Sequence, residues 1–157
     1  MKNILLLVHD DAGQEARLQA ALDVTRALNG HLSCVDVVQI PVLYADATST
    51  AAAAMLLEDE YQREAHNREV VERRLAKEGV SWDWQDHTGT ISEIILDEAT
   101  LADLIVLNRK LDSCPIPDTR GLTGDVLLRA HKPVLAVPET LTQFEVGGRA
   151  LIAWDGS

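Results

Sequence analysis

Three ionisable residues stand together where an apolar run stops: His9, Asp10 and Asp11 in LLVHDDAG. A histidine and two carboxylates could move protons, hold a metal ion or lie against a ligand's polar groups. Their spacing speaks against a metal centre. Adjacent residues at a strand end project in diverging directions, and no second pair follows at ligand spacing. The expectation is solvated turn residues and no metal. A second position of interest is Asn108, which ends another apolar run. A third is TRGLTG, where Arg120, Gly121, Thr123 and Gly124 combine a cation, a hydroxyl and two bare backbone positions. The N–H groups of such a helix start could hold phosphate or sulfate. The plainer reading of TRGLTG is a glycine-rich helix cap without a ligand.

Nucleophilic catalysis finds little support. There is no Gly-x-Ser-x-Gly and no serine with an evident base. Cys114 has Arg109 and Lys110 near it in sequence, but Asp112 and Asp118 offset the positive setting that a reactive thiolate needs. Trp82 and Trp84 could stack a base, yet two aromatics alternating on one strand read first as packing against a helix. His66 is expected in solvent, His87 at a strand end without a partner, and His131 with Lys132 at a helix C-terminus, where positive charge suits the dipole. The acidic pair after the first strand resembles that of response-regulator receiver domains. The phosphorylatable Asp those domains need at a third strand is replaced here by DATSTAAAAM, so that reading fails.

The elements that must position these residues follow from periodicity. NILLLV, 3–8, is a continuous apolar run, as in a strand covered on both faces. QEARLQAALDVTRALNG carries Leu18, Ala21, Leu22, Thr25 and Leu28 at helical spacing, and Asn29-Gly30 stops it. LSCVDVVQI, 32–40, is a second strand closed by Pro41, and 41–50 reads as a mobile loop. TST, 48–50, offers caps to a long helix ending at Gly79, with Ala54, Met55, Tyr61, Ala65, Val71 and Leu75 as its expected inner stripe. VSWDWQD alternates like a half-buried strand. TISE, 90–93, reads as a capping box for a short helix. ADLIVLN is a further buried strand, a last helix runs from about 122 to 131, and VLAV closes the series. Strands alternating with helices imply one parallel sheet with right-handed crossovers and helices on both faces. Ligands on such sheets gather at the carboxyl ends of the strands. That rule selects His9 and Asp10 after the first strand, Val37 near the end of the second, and Asn108 after the fourth.

Length and composition agree with this. The 157 residues suit one domain, and with aromatic residues at only 4% the core must be aliphatic. No run is long enough to span a bilayer, and the N-terminus lacks the pattern of a signal peptide, so no membrane partner is expected. Two distant cysteines read as free thiols in a reducing cytoplasm. A net charge of −11 with scattered basic residues argues against nucleic acid.

The layout resembles a universal stress protein domain, an α/β nucleotide-binding family. ADLIVL and KPVLAVP are the most telling pieces, taken with the element order over residues 3–138 and the long second helix. The resemblance implies a Rossmann-like, adenine nucleotide alpha hydrolase-like sheet in the order 3-2-1-4-5. It also makes LIAWDGS similar to the opening strand of a second copy. The expected division is a domain at 1–138, a linker at 139–148 and a second repeat beginning at 149–157, as in a tandem member cut soon after its second half begins.

ATP-binding members carry, after the fourth strand, a glycine, two residues, a glycine, nine residues, then glycine with Ser or Thr. Laid on this chain, the slots fall on Asn108, Leu111 and Gly121, with Leu122 in place of the hydroxyl. Side chains at 108 and 111 would crowd a path that needs bare backbone. The resemblance places an acid after the first strand, where this chain has His9, while Asp155-Gly156-Ser157 keep the pattern. The expectation is therefore a stress-response binding module with a degenerate ATP motif, weak binding of ATP or AMP at most, and no certain cofactor. It would act as a homodimer through the edge strand Val134 to Val137. The alternative is a nucleotide hydrolase or transferase on the same scaffold.

Overall fold

The computed structural model describes residues 2–39, 49–109 and 118–153, with the backbone alone for 49–53 and 118–120. The elements run β1 (Asn3–Val8), α1 (Gln14–Leu28), β2 (His31–Gln39), α2 (Ser49–Leu75), β3 (Ser81–Gly89), α3 (Ile91–Glu98), a 3-10 turn at Ala99–Leu101, β4 (Leu104–Asn108), α4 (Asp118–Arg129) and β5 (Val134–Val137). All strand pairs are parallel and the order is β3-β2-β1-β4-β5, as the sequence predicted. The inner strands β1 and β4 are nearly continuous apolar runs because helices cover both faces.

Strand alternation sorts the core in two. Ile4, Leu6, Val8, Leu32 and Cys34 face α1 and α2, meeting Leu18, Leu22, Val71 and Leu75. Leu5, Leu7, Val35, Val37, Ile105 and Leu107 face α3 and α4, meeting Ile91, Ile95, Leu122 and Val126. Trp82 and Trp84 pack against the first layer as expected, and the Arg68 guanidinium lies 5.3 Å from the Trp84 ring centroid. Asn29 takes the left-handed conformation at the end of α1, and the Gly30 N–H closes the turn on Thr25 O at 2.9 Å. Gly30 is also a close-approach position, since a Cβ there would meet Lys2 O at 2.6 Å.

Several expectations need correction. The inner face of α2 is not the predicted apolar stripe. Val71 and Leu75 are buried, but Glu64 and Asn67 continue that face, and Met55 and Tyr61 are exposed. The helix ends at Leu75, with Gly79 (φ 66) in the turn beyond. Thr90 caps α3 without a side-chain hydrogen bond, so the capping box does not form. α4 begins at Asp118 rather than near 122, which places Gly121 and Gly124 inside the helix. Leu141 and Phe144, in the predicted linker, pack against the α1 and α2 layer, and the Phe144 N–H donates to Asp23 Oδ2 at 2.9 Å. Residues 149–153 form no strand. Among the described residues, no helix is long and apolar enough to cross a membrane. The predicted loop at 41–50, apart from the backbone of 49 and 50, lies outside the described residues, as do Leu111, Cys114 and Asp155 to Ser157.

Candidate functional site

The carboxyl ends of β1 and β4 meet at the point where the sheet reverses its order, the place where open parallel sheets hold ligands. Here the opening between them is taken by a side chain of this protein. Arg17, in the first turns of α1, is buried and points under the loop that leaves β1. Its Nε donates to Leu7 O at 3.1 Å and its Nη2 to His9 O at 3.1 Å. Its Nη1 donates to both carboxylate oxygens of Asp11 at 2.9 Å and to Asn108 Oδ1. Burial lowers the Arg17 pKa from its ordinary value, and the Asp11 charge opposes that shift. Asp11 also accepts from Gly13 N–H at 2.7 Å, so one carboxylate both turns the chain into α1 and anchors the guanidinium.

Asn108 completes the plug. Its Nδ2 donates to Gly13 O at 3.2 Å and to Val137 O at 3.3 Å, and its backbone carbonyl accepts the Thr123 hydroxyl. Every polar atom of this side chain is thus held by the fold, tying β1, α1, β4, α4 and β5 together. Thr123, expected to face an anion, is turned inward onto Asn108, and Gly124 sits a full turn inside α4. The free N–H groups of this helix belong to its first turn, before Thr123. Gly121 is exposed on α4, and the Arg120 side chain lies outside the described residues. Val37 is fully buried in the layer against α3.

A second polar cluster lies on the other side of the β1 end. His9 is buried rather than solvated, which corrects the sequence expectation. Its Nδ1 stands 2.8 Å from Glu64 Oε1 of α2. Burial works to lower the His9 pKa, but the Glu64 carboxylate, with Asp11 and Glu60 adding, lifts it above its ordinary value. Burial would raise the Glu64 pKa; His9, the Asp10 N–H and Asn67 bring it below its ordinary value instead. Asp10 is about half exposed and lies 3.8 Å from Arg63. Gln14 and Asn67 exchange amide hydrogen bonds of 2.6 and 2.8 Å, and Gln14 Oε1 also accepts the His9 N–H at 3.1 Å. His87 does find a partner, with Nε2 3.4 Å from Glu98 Oε1, and His66 is exposed as expected.

An opening is present at this end of the sheet among the described residues. A cleft of about 210 Å³ lies between Gln39 of β2, the Thr90–Ser92 start of α3, and Gly121, Leu122 and Asp125 of α4. It adjoins the start of two helices, where free N–H groups favour an anion. The thiol of Cys34 is buried in the layer against α1 and α2, and burial pushes its pKa up.

No protein-family model matches the sequence, and no curated protein matches it. Solved structures do match. The universal stress protein UspA from Lactobacillus plantarum superposes with a TM-score of 0.69 at 21% identity, over 87% of this chain and 97% of that one. A protein of the universal stress protein family from Burkholderia pseudomallei gives 0.66 at 19%, over 87% and 96%. A universal stress protein family protein from Arabidopsis thaliana, with AMP bound, gives 0.59 at 14%, over 88% and 92%. These likenesses are likenesses of fold.

Proposed function

We propose that the chain is a binding module of the universal stress protein type, whose central nucleotide crevice is closed by its own Arg17 and Asn108. The observation that carries this reading is the network joining those two side chains, in which every polar atom of Asn108 has a partner within the fold. A triphosphate running past residue 108 would have to break that network and leave buried polar atoms of Asn108 without partners, a cost of about 1–3 kcal/mol for each. The residues at this point do not fit ATP in the pose the resemblance implies.

The cleft beside Gly121 offers a place for a ligand. At about 210 Å³ it is smaller than the roughly 300–1,000 Å³ of a usual small-molecule site. A phosphate, or part of a mononucleotide such as AMP, is the occupant its size and helix starts suit. Binding would be weak and would involve no turnover. Self-association through Val134 to Val137 is the second half of the reading. β5 is the edge strand of the sheet and carries no charge, and such an edge invites pairing with another chain.

Titration calorimetry with AMP, inorganic phosphate and ATP with Mg²⁺ tests this. The expected dissociation constants lie at about 0.1 mM or weaker, near −5 kcal/mol or less in magnitude. Submicromolar ATP binding would overturn the reading, and steady phosphate release would favour the hydrolase alternative.

A further inference from the structure

The long helix α2 turns carboxylates inward and leaves Met55, Leu56 and Tyr61 exposed. An amphipathic helix ordinarily does the reverse. Glu60 and Glu64 sit one turn apart on that inner face, and His9 comes up to them from the end of β1. One donor atom from each of the three lies within 4.8 Å of the others. Donors around a single cation at about 2.1 Å lie roughly 3–4 Å apart, so these side chains need only a small closure to share an ion.

A second observation points into the same place. Asp36 pairs in register with Val8 and shares the strand face of Leu32 and Cys34, the face α2 covers. It is 4% exposed, and its Oδ1 is buried without a hydrogen-bond partner. It lies near enough to Glu64 and His9 for their charges to act on its ionisation. Glu60 Oε1 is likewise buried without a hydrogen bond, and His9 Nδ1 has an ionic neighbour but no aligned hydrogen bond. Unpartnered buried polar atoms are costly, and Asp36 Oδ1 and Glu60 Oε1 are two of them. Arg63 reaches Glu60 at 2.6 Å and Glu64 at 3.7 Å, but its side chain is 44% exposed and can swing into solvent.

We propose that His9, Glu60 and Glu64, with Asp36 alongside, form a binding site for one divalent transition-metal ion between α2 and the ends of β1 and β2. One imidazole with carboxylates favours Zn²⁺ and its neighbours over Ca²⁺ or Mg²⁺, which take oxygen alone. Glu64 is already oriented by supporting groups, as metal-binding carboxylates are: Asn67 Nδ2 donates to its Oε2 at 3.1 Å and the Asp10 N–H to its Oε1 at 3.2 Å. This site is separate from the plug at Asn108 and does not depend on the nucleotide reading.

The test uses the full chain, stripped with a chelator and titrated with ZnCl₂ by calorimetry, with Tm followed in parallel. One ion per chain and a raised Tm are expected. Glu60→Gln and His9→Gln should each weaken binding by about tenfold or more while keeping the far-UV circular dichroism of the wild type. Co²⁺ in place of Zn²⁺ should give visible ligand-field bands that Glu60→Gln removes. Absence of binding overturns the proposal, and so does Zn²⁺ or Co²⁺ affinity that survives both substitutions, which would place the ion on surface histidines. Should His9→Gln fail to fold, Glu60→Gln decides alone, because Glu60 is the least buried of the three.

Discussion

Arg17 donates to the side-chain carbonyl of Asn108 across the gap between the ends of β1 and β4. The two residues stand 91 positions apart in the chain, and Arg17 is the partner of the Asn108 side-chain carbonyl. The contact is a strut between α1 and β4. Asp11 neutralises the guanidinium, and the carbonyls of Leu7 and His9 take its remaining donors.

Removing that strut should be expensive. Arg17→Met leaves Asp11 and Asn108 facing each other without their shared cation. A loss of about 3–5 kcal/mol is expected, read from the midpoint of urea unfolding. Arg17→Lys should recover only part of it, since an ammonium cannot serve acceptors spread around a planar fork. A loss under about 1 kcal/mol for Arg17→Met would show that the network carries little.

Asp36 supplies a pH dependence. Burial, with Glu64 and Asp86 adding and His9 and Arg68 opposing, pushes its pKa up from 3.8 to about 7. The folded state therefore binds more protons than the unfolded state between those values. Stability from this group is full below about pH 4 and is lost as pH rises toward 7. In chelator-treated protein, Asp36→Asn should flatten that fall and be the more stable form at pH 7.5, by about 1–3 kcal/mol. Thermal unfolding of both proteins from pH 4 to 8 checks it, and parallel curves would contradict it.

Gly30→Ala should destabilise the protein by about 1–3 kcal/mol. The new methyl would meet Lys2 O at 2.6 Å and Ile4 Cδ1 at 2.7 Å, so the start of β1 must shift. Gly121→Ala, where a Cβ meets nothing within 4 Å, should be neutral or slightly stabilising. Equal effects at the two positions, measured by thermal denaturation, would contradict this.

The edge strand makes a separate prediction. Light scattering at micromolar concentration should report a dimer for the wild type, and Ala136→Lys, which places a charge on the exposed middle of β5, should give a monomer. A wild-type monomer would remove self-association from the proposed function.

The sheet was legible because its strands are local signals. NILLLV and ADLIVL are apolar but for Asn3 and Asp103, and short runs of this kind bounded by polar residues suit a strand covered on both faces. Trp82 and Trp84 were legible for the same reason, through simple alternation. The polar interior was not. Arg17 and Glu64 lie among charged helix residues and carry no mark of burial in sequence, because their burial depends on Asn108 and His9 arriving from distant strands. The apolar stripe drawn along α2 failed at Met55 and Tyr61, since Asp36 and His9 make the surface beneath Glu60 and Glu64 polar. Asn108 stood out in sequence for its bulk where bare backbone was looked for, but its hydrogen bonds to Arg17, Gly13 and Val137 depend on distant elements and were not legible.

The central claim concerns what occupies the space between β1 and β4, and a crystal of the protein grown with ATP and Mg²⁺ in excess addresses it most directly. Arg17 should remain bonded to Asp11 and Asn108, with any bound phosphate confined to the cleft beside Gly121. A triphosphate lying between the two strand ends, with the guanidinium displaced from Asn108, would contradict it.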